Sequence, residues 1–353
     1  MHPIHPTNPP DMRSPALWAV LCCSLCPGLF AHSPYQLSTD RSTFSISLFK
    51  KLIFVEARVD GQEGLFLFDT GISELTLNYD NFAHYQLEEG PSLTDINGAM
   101  ERSHRVFVMN FDWQGLHREK FKVQLMDLST LSETIGSPVL GLIGYDVIKD
   151  LEVAVDYDKR QMTLHRLDEN GRVSQHPWQR PDHLLEFEME RHLPILGIQM
   201  EPGKVIRVGF DSGAAMNVLD RKYRRAAKEG ALRLYHIQYN GALSATRVPY
   251  YTLPRVEVAG ELSLIHCKMA FPNLSHLWRN GVQIDGLLGI DLFRLGRVSL
   301  NFRLGEMKIW VNDNVFTMKY KDLTEPTGLA REGDEEVKGA EGLYELPKSP
   351  EER

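Results

Sequence analysis

Gly64-Leu-Phe-Leu-Phe-Asp-Thr-Gly71 is an apolar run that ends in the tripeptide Asp-Thr-Gly. A close copy, Val205-Ile-Arg-Val-Gly-Phe-Asp-Ser-Gly213, follows later in the chain. The two aspartates, Asp69 and Asp211, are 211 minus 69, or 142, positions apart. In each copy the apolar run predicts a buried strand, and the glycine predicts a tight turn directly after the aspartate.

Further landmarks repeat in the same order on both sides of these segments. They are an apolar segment before each copy (53–61 and 195–203), an Asn-Gly-Ala triplet (97–99 and 240–242), a Gly-Leu-x-Gly-x-Asp segment (141–146 and 286–291), and a closing strand pair (153–164 and 298–309). The offset between the copies is 142 residues at Asp69 and Asp211. It is 291 minus 146, or 145, at Asp146 and Asp291, which end the two Gly-Leu-x-Gly-x-Asp segments. Matched landmarks in one order indicate a tandem duplication.

The duplication predicts the domain organisation. We place one half at 42–167 and the other at 183–315, joined by a polar linker at 168–182 that contains two prolines. Short β-branched and aromatic runs, separated by Gly, Pro and Asn, predict that each half is mainly β. Helical signal is confined to 220–229 and to the turns that follow Gly144 and Gly289.

The two ends of the chain differ from the halves. Residues 1–31 have a basic residue, a short apolar stretch and a small residue at the end, which is typical of a secretory signal peptide. We therefore expect a protein exported to the periplasm or secreted, with membrane attachment only if this segment stays uncleaved. The tail, 321–353, has ten acidic and five basic residues, and this composition predicts a solvated, disordered extension.

Charge and motif content exclude several classes of function. The formal net charge of -8 includes -5 from the tail, so the remainder carries only -3 and predicts no nucleic-acid partner. The 13 histidines are scattered without metal-ligand spacing, so we expect no metal and no other cofactor. Three of them, His165, His183 and His192, are expected on surface loops or at strand ends.

The repeated tripeptide points to a pair of carboxylates in one site. Alone, either copy is more simply a capped turn after a strand, whose aspartate accepts backbone N–H bonds. As a registered pair, Asp69 and Asp211 would meet where two equivalent strands end. Their mutual repulsion would keep one proton on the pair, so the ionised carboxylate could deprotonate a water and the protonated one could donate to a carbonyl.

These motifs resemble those of retropepsin-like and pepsin-like aspartic peptidases. The resemblance includes the segments Leu142-Ile-Gly144 and Leu287-Leu-Gly289, which match the apolar strand that braces each catalytic loop in that family. It implies two pseudo-symmetric acid-protease-like β-barrel lobes in one chain, with the active-site cleft between them. Each half is closer in length to a retropepsin subunit than to a pepsin lobe.

The resemblance also assigns roles to individual residues. Asp69 and Asp211 would be catalytic, activating water to hydrolyse a peptide bond. The residues that support the two catalytic loops would be Thr70, Gly71, Ser212 and Gly213. The flap or substrate-binding residues would be Asn97, Gly98, Tyr239, Asn240 and Gly241. The substrate would be a peptide or protein in extended conformation, and we expect a monomer.

Two alternatives remain open beside this interpretation. Ile72 follows the first tripeptide, where the family usually has a small residue, and its bulk could crowd the site. A catalytically inactive peptide- or protein-binding module, taking an extended strand between the lobes, is therefore the second hypothesis. A structural protein held at a membrane by an uncleaved N-terminus is the third. Because neither Ile72 nor Ala214 supplies a hydroxyl to the pair, we expect a pH optimum less acidic than that of pepsin.

Overall fold

The chain is described by a computed structural model at residues 17–19, 35–174, 177–201, 203–241 and 244–312. The predicted signal peptide and the predicted tail lie outside these residues, apart from the strand β1 at Leu17–Ala19. Strands dominate the described chain, which confirms the prediction of a mainly β protein. The alternation is visible in the strand Leu52–Val59, where Val55, Ala57 and Val59 are buried while Glu56 and Arg58 are exposed.

The first of three sheets is formed by nine strands from the region before residue 144. They are β2 (Gln36–Leu37), β4 (Ser47–Phe49), β5 (Leu52–Val59), β6 (Gln62–Phe68), β7 (Thr76–Asn78), β8 (Glu88–Thr94), β9 (Met100–Trp113), β10 (Leu116–Met126) and β11 (Val139–Ile143). The longest pairing joins β9 and β10, which are antiparallel and connected by a tight turn.

The second sheet also has nine strands, eight of them from 188 onward. They are β1 (Leu17–Ala19), β15 (Glu188–Glu190), β16 (Leu193–Gln199), β17 (Ile206–Phe210), β18 (Asn217–Leu219), β19 (Arg233–Gly241), β20 (Ala245–Val258), β21 (Leu262–Ala270) and β22 (Gly286–Leu288). The strand β1 pairs in parallel with the end of β19.

The same succession of pairings occurs in both nine-stranded sheets. In the first, β5 pairs antiparallel with β6, β6 parallel with β11, β11 antiparallel with β7, and β7 parallel with β10. In the second, β16, β17, β22, β18 and β21 repeat this succession with the same directions. The repeat detected in the sequence is therefore also a repeat of strand pairing.

A third sheet of six strands combines chain from both copies of the repeat. It contains β3 (Arg41–Ser45), β12 (Leu151–Asp156), β13 (Gln161–Arg166), β14 (His183–Glu186), β23 (Gly296–Asn301) and β24 (Glu306–Val311). The antiparallel pairs β12–β13 and β23–β24 are the predicted closing strand pairs, and β12 pairs with β23 across the middle. Between the halves, the predicted linker packs on this sheet, since Trp310 Nε1 donates to the Gln179 carbonyl at 2.7 Å.

Helices are few and short, as the sequence predicts. They are α1 (Tyr79–Phe82), α2 (Ser129–Ile135), α3 (Tyr145–Ile148), α4 (Arg224–Gly230), α5 (Ser275–Arg279), and 3-10 helices at Arg221–Tyr223 and Ile290–Leu295. The helix expected at 220–229 is present, and it begins where the Asp220 side chain accepts from the Lys222 N–H at 2.9 Å. The helices expected after Gly144 and Gly289 are present too, whereas α1, α2 and α5 lie where the sequence predicted no helix.

The histidine predictions are right about position and wrong about exposure. His183 begins β14, His165 is the last residue but one of β13, and His192 lies in the turn between β15 and β16, as expected for strand ends and loops. All three side chains are nevertheless buried, so His192 is not on a surface loop. Segments distant in sequence cover two of the rings: His183 Nδ1 contacts the Glu261 carbonyl, and His192 Nε2 contacts the Gly71 carbonyl.

Candidate active site

Both Asp-containing tripeptides follow directly on buried strands. Strand β6 ends at Phe68 and β17 ends at Phe210, and both phenylalanine rings pack against Phe293, at centroid distances of 6.4 and 5.6 Å. The Asp69 N–H donates to the Ile143 carbonyl at 3.1 Å, and the Asp211 N–H donates to the Leu288 carbonyl at 2.9 Å. The apolar strands β11 and β22 thus fix the point at which each aspartate leaves its strand.

Two residues, Thr70 and Ser212, tie the loops together. The Thr70 N–H donates to Ser212 Oγ at 2.9 Å, and the Ser212 N–H donates to Thr70 Oγ1 at 2.9 Å. Each hydroxyl in turn donates to the carbonyl that precedes the other aspartate: Thr70 to Phe210 at 3.2 Å, and Ser212 to Phe68 at 2.9 Å. All four groups are buried and satisfied, so the two loops are held in one fixed relation.

The glycines let each carboxyl group lie against the opposite loop. A Cβ atom on Gly71 would stand 2.6 Å from Asp211 Cγ, and one on Gly213 would stand still closer to Asp69 Cγ. The Gly71 N–H donates to Asp69 Oδ1 at 2.8 Å, and the Gly213 N–H donates to Asp211 Oδ1 at 2.8 Å. The structure therefore brings all six predicted residues of the two tripeptides together.

The electrostatics of the pair follow from its burial. Both aspartates are 0 % exposed. Burial, and then the neighbouring Asp211 charge, raise the pKa of Asp69 well above its usual range. Burial raises the pKa of Asp211 as well, against the opposing effect of the neighbouring Asp69 carboxyl and of hydrogen bonds from backbone N–H groups. Among the described residues, neither Oδ2 atom has a hydrogen-bond partner, so each carboxyl keeps one oxygen for another group.

The residues after the tripeptides are bound to the helices that follow the bracing strands. The Tyr145 N–H donates to the Ile72 carbonyl at 2.9 Å, and the Ile290 N–H donates to the Ala214 carbonyl at 2.8 Å. The Ile72 side chain is buried in an apolar cluster with Leu52, Leu131 and other residues. Its bulk is therefore accommodated by core packing, in contrast to the crowding that the sequence suggested.

The predicted flap residues lie in two segments that contact one another. Asn97 Nδ2 donates to the Ser244 carbonyl at 3.0 Å, and Ser244 Oγ donates to Asp95 Oδ2 at 2.8 Å. Asp95 also accepts from the Asn97 and Ala99 N–H groups at 3.0 and 2.8 Å, which closes the turn around Gly98. The backbone of Gly241 packs directly against Asp95 and Asn97.

These segments reach the aspartates through Tyr239. Its side chain is fully buried and packs in a cluster with Ile96 and Ala214, the residue next to the second tripeptide. Burial raises the pKa of Tyr239, and the charges of Asp211 and then Asp95 raise it further. The Tyr239 hydroxyl and Asn240 Oδ1 are buried without a hydrogen-bond partner in the described part of the chain.

Three residues near the site were missed by sequence reasoning: Asp95, Ser244 and His192. His192 Nε2 lies 2.9 Å from the Gly71 carbonyl, 121 positions away in the sequence. Asp95 stands two residues before the repeated Asn-Gly-Ala triplet, which is a usable signal for it. No local pattern marks His192 or Ser244, because their contacts are made across the fold.

The structure adds two observations on ligands and membranes. Within residues 35–174, 177–201, 203–241 and 244–312, no group of three or more His, Cys, Asp or Glu side chains is arranged to hold a metal ion. In the same ranges, no helix is long and apolar enough to cross a membrane.

Comparison with known proteins does not assign the chain to a family. No family model matches the sequence, and no curated protein matches it. The functional interpretation therefore depends on the geometry of the two aspartate loops.

Proposed function

We propose that this chain is an aspartic endopeptidase in which Asp69 and Asp211 activate water for attack on a peptide bond. In this proposal the two nine-stranded sheets belong to two acid-protease-like β-barrel lobes, related by a pseudo-two-fold axis, with the substrate cleft between them. The observation that carries the proposal is the mutual burial of the two carboxyl groups: each lies against the glycine of the opposite loop and retains an oxygen without a partner.

The proposed chemistry depends on one proton that the two carboxyl groups share. They can share it because burial raises the pKa of both Asp69 and Asp211. The ionised carboxylate takes a proton from a water while the water oxygen bonds to the substrate carbonyl carbon. The protonated carboxyl gives its proton to the carbonyl oxygen, which yields a neutral tetrahedral diol. Collapse of the diol breaks the C–N bond: the carboxyl that took the water proton gives it to the leaving amine nitrogen, and the other carboxylate takes the proton of one diol hydroxyl, which becomes the carbonyl of the product acid. No residue of the chain forms a covalent intermediate, so Thr70 and Ser212 act only to hold the loops.

Substrate access requires movement of the two segments around Asn97 and Asn240. Both aspartates are fully buried under the observed contacts, so a peptide can reach them only when the Asp95–Ser244 and Asn97–Ser244 bonds open. An extended peptide suits this site, because it could take the place of β1, which pairs with the edge of β19 at 239–241. The Tyr239 hydroxyl and Asn240 Oδ1 are then available to bond the bound peptide.

The competing hypothesis is a binding module without catalysis. It is favoured by the complete burial of the dyad in the described structure, and no longer by Ile72, whose side chain packs in the core. A non-catalytic protein would hold an extended peptide in the same place, with Asp69 and Asp211 retained for their hydrogen bonds to Gly71 and Gly213.

The test compares peptide cleavage by four proteins. The purified chain, Asp69→Asn, Asp211→Asn and the control Asp40→Asn are incubated with a diverse peptide mixture from pH 3 to 7. The Asp40 side chain is 94 % exposed, so this variant should cleave like the parent. We expect Asp69→Asn and Asp211→Asn each to lower the cleavage rate at least about a thousandfold, because one carboxyl cannot act as both acid and base. Peptide binding without cleavage by the parent chain would establish the binding module instead.

Export and oligomeric state are part of the same proposal. If residues 1–31 are a signal peptide, the mature protein begins at His32 and is periplasmic or secreted; it is expected to be a monomer. Mass spectrometry of protein recovered from cell fractions checks the first point, and light scattering checks the second. An intact N-terminus in the membrane fraction would instead support the membrane-held structural protein.

A further inference from the structure

One buried histidine contacts the catalytic loop directly. His192 lies in the turn between β15 and β16, is 4 % exposed, and places Nε2 at 2.9 Å from the Gly71 carbonyl oxygen. A carbonyl only accepts, so Nε2 carries the hydrogen and donates it. Burial lowers the pKa of His192, and the neutral ring with its hydrogen on Nε2 suits this contact.

The residue that His192 binds also contacts both aspartates. The Gly71 N–H donates to Asp69 Oδ1 at 2.8 Å, and the Gly71 backbone lies so close to Asp211 that a Cβ atom there would stand 2.6 Å from its Cγ. The hydrogen bond from His192 fixes the Gly71 carbonyl, and with it the position of Gly71 between the two carboxyl groups.

The second loop differs from the first at this point. Asp211 receives the matching bond from the Gly213 N–H at 2.8 Å, and the Ala214 N–H donates to the Asp211 backbone carbonyl at 3.2 Å. The position 142 residues before His192 is Lys50, whose side chain is exposed. The repeat thus preserves the amide donor at both aspartates, whereas the two halves differ in the residue that stands where His192 does.

We propose that His192 is a positioning residue of the aspartate pair, which holds Gly71 by its carbonyl so that the Gly71 N–H stays directed at Asp69. The proposal rests on the proposed peptidase function for its kinetic consequence. Its structural content, a hydrogen bond that favours the ionised form of the pair, holds for the folded protein whether or not it cleaves peptides. His192 does not touch the reacting atoms and transfers no proton.

Two substitutions separate the hydrogen bond from the packing. His192→Phe keeps an aromatic ring of similar size without a donor, and His192→Gln supplies an N–H donor on a flexible chain. The matched control is His183→Phe, since His183 is equally buried and its Nδ1 contacts the Glu261 carbonyl at 3.1 Å, in a different part of the fold. The full chain is used throughout.

Two kinetic properties are measured: the separate values of kcat and KM, and the dependence of the cleavage rate on pH. For His192→Phe we expect kcat to fall about tenfold with KM changed less than about twofold, because the bond orients a catalytic group and not the substrate. The acidic limb of the pH profile should move upward by about half a pH unit, since the ionised pair loses a supporting hydrogen bond. His192→Gln should recover most of both effects, and His183→Phe should show neither.

A second measurement does not depend on cleavage. The carboxyl carbons of 13C-labelled aspartates are titrated by NMR, with Asp69→Asn and Asp211→Asn spectra used for assignment. The pair should titrate at higher pH in His192→Phe than in the parent, and unchanged in His183→Phe. If the titration shifts in this way but the parent cleaves no peptide, the positioning role of His192 stands and the peptidase proposal is wrong.

The parent protein alone also provides a test, should His192→Phe fail to fold. 15N NMR of the histidine rings should show His192 as the neutral form with hydrogen on Nε2. Hydrogen on Nδ1 would overturn the proposal, as would a His192→Phe protein whose kcat and carboxyl titration match the parent. Equal shifts in His183→Phe would overturn it too, because the effect would then be one of general stability.

Discussion

Thr70 and Ser212 bind each other reciprocally, with the N–H of each donating at 2.9 Å to the hydroxyl oxygen of the other. The two residues are 142 positions apart, which is the offset of the sequence repeat. The copies of the repeat therefore meet at equivalent residues, and the contact that joins them is also the contact that aligns Asp69 with Asp211. Stability and the geometry of the candidate site depend on the same four hydrogen bonds.

Alanine at either hydroxyl position should destabilise the fold. Ser212→Ala removes the acceptor of the buried Thr70 N–H and the donor to the Phe68 carbonyl. We expect a loss of about 1–3 kcal/mol in the free energy of unfolding, the usual cost of leaving a buried polar group unpaired. Urea unfolding measures it. Ser212→Thr and Thr70→Ser keep the hydroxyl and should lose less than their alanine counterparts; equal losses would show that the hydroxyl bonds are unimportant.

Adding one methyl group at either loop glycine should slow peptide cleavage about a hundredfold. In Gly71→Ala the new Cβ would stand 2.6 Å from Asp211 Cγ, and Gly213→Ala crowds Asp69 in the same way. The carboxyl groups must move apart, and a displacement of about 1 Å costs roughly a hundredfold in rate. Gly230→Ala is the control, because its Cβ meets no atom within 4 Å. Cleavage by Gly71→Ala at the parent rate would contradict the assignment of the dyad.

The repeat made much of this arrangement predictable. The apolar run before each tripeptide places Asp69 and Asp211 at strand ends, and the spacing of the landmarks predicts that both loops have the same surroundings. Alternation in segments such as 53–59 predicts strands, and the observed pairing follows. These features are encoded by neighbours in sequence, which is why a single sequence suffices for them.

The missed residues are those whose roles arise from distant contacts. His192 follows two charged residues, Glu190 and Arg191, and this context predicts exposure, whereas the fold places it on the Gly71 carbonyl. The direction of the Ile72 side chain was also beyond prediction, because it depends on a cluster formed by strands separated along the chain. Local periodicity specifies which face of a strand is apolar, but not what that face meets.

The contact between Ser244 and Asp95 should control access to the dyad. Ser244→Ala removes the bond to the Asp95 carboxylate and leaves the Asn97–Ser244 bond in place. Hydrogen bonds to charged groups contribute about 1.5–3 kcal/mol, so opening should become about tenfold more frequent or more. Hydrogen exchange should accelerate at 95–99 and 239–241, with kcat/KM raised if opening limits the rate. Ser45→Ala, at an exposed strand residue, is the control; unchanged exchange in Ser244→Ala would exclude a gating role.

The rate of cleavage should peak at a less acidic pH than in pepsin. A pair of this kind is active with one proton bound, so the profile is bell-shaped, with limits set by the two pKa values of the pair. Burial raises the pKa of both Asp69 and Asp211, which moves both limits upward. Pepsin, with pKa values of about 1.5 and 4.7, is active around roughly pH 3. A sharp maximum below that value in a profile of kcat/KM would contradict the expectation.

Replacing both aspartates by asparagine should stabilise the protein relative to the parent, by a margin that grows as the pH rises. The pKa values of Asp69 and Asp211 are raised in the folded state, whereas an unfolded aspartate titrates near about 3.9. Below that pH both states are protonated and burial carries no ionic penalty. As the pH rises toward the folded pKa values, the unfolded chain ionises first, so the parent loses stability by about 1.4 kcal/mol per unit of pKa difference.

The double variant Asp69→Asn/Asp211→Asn lacks these ionisations, and its side-chain oxygens can still accept from Gly71 and Gly213. Its free energy of unfolding, relative to the parent, should therefore be near zero or negative at pH 3 and increase steadily to neutral pH. Chemical denaturation at four or five pH values measures the difference, with Asp40→Asn, at a side chain 94 % exposed, as the control. A difference that stays constant with pH would show that the two carboxyl groups are not strained by burial, and the raised pKa values that the proposed mechanism uses would have to be abandoned.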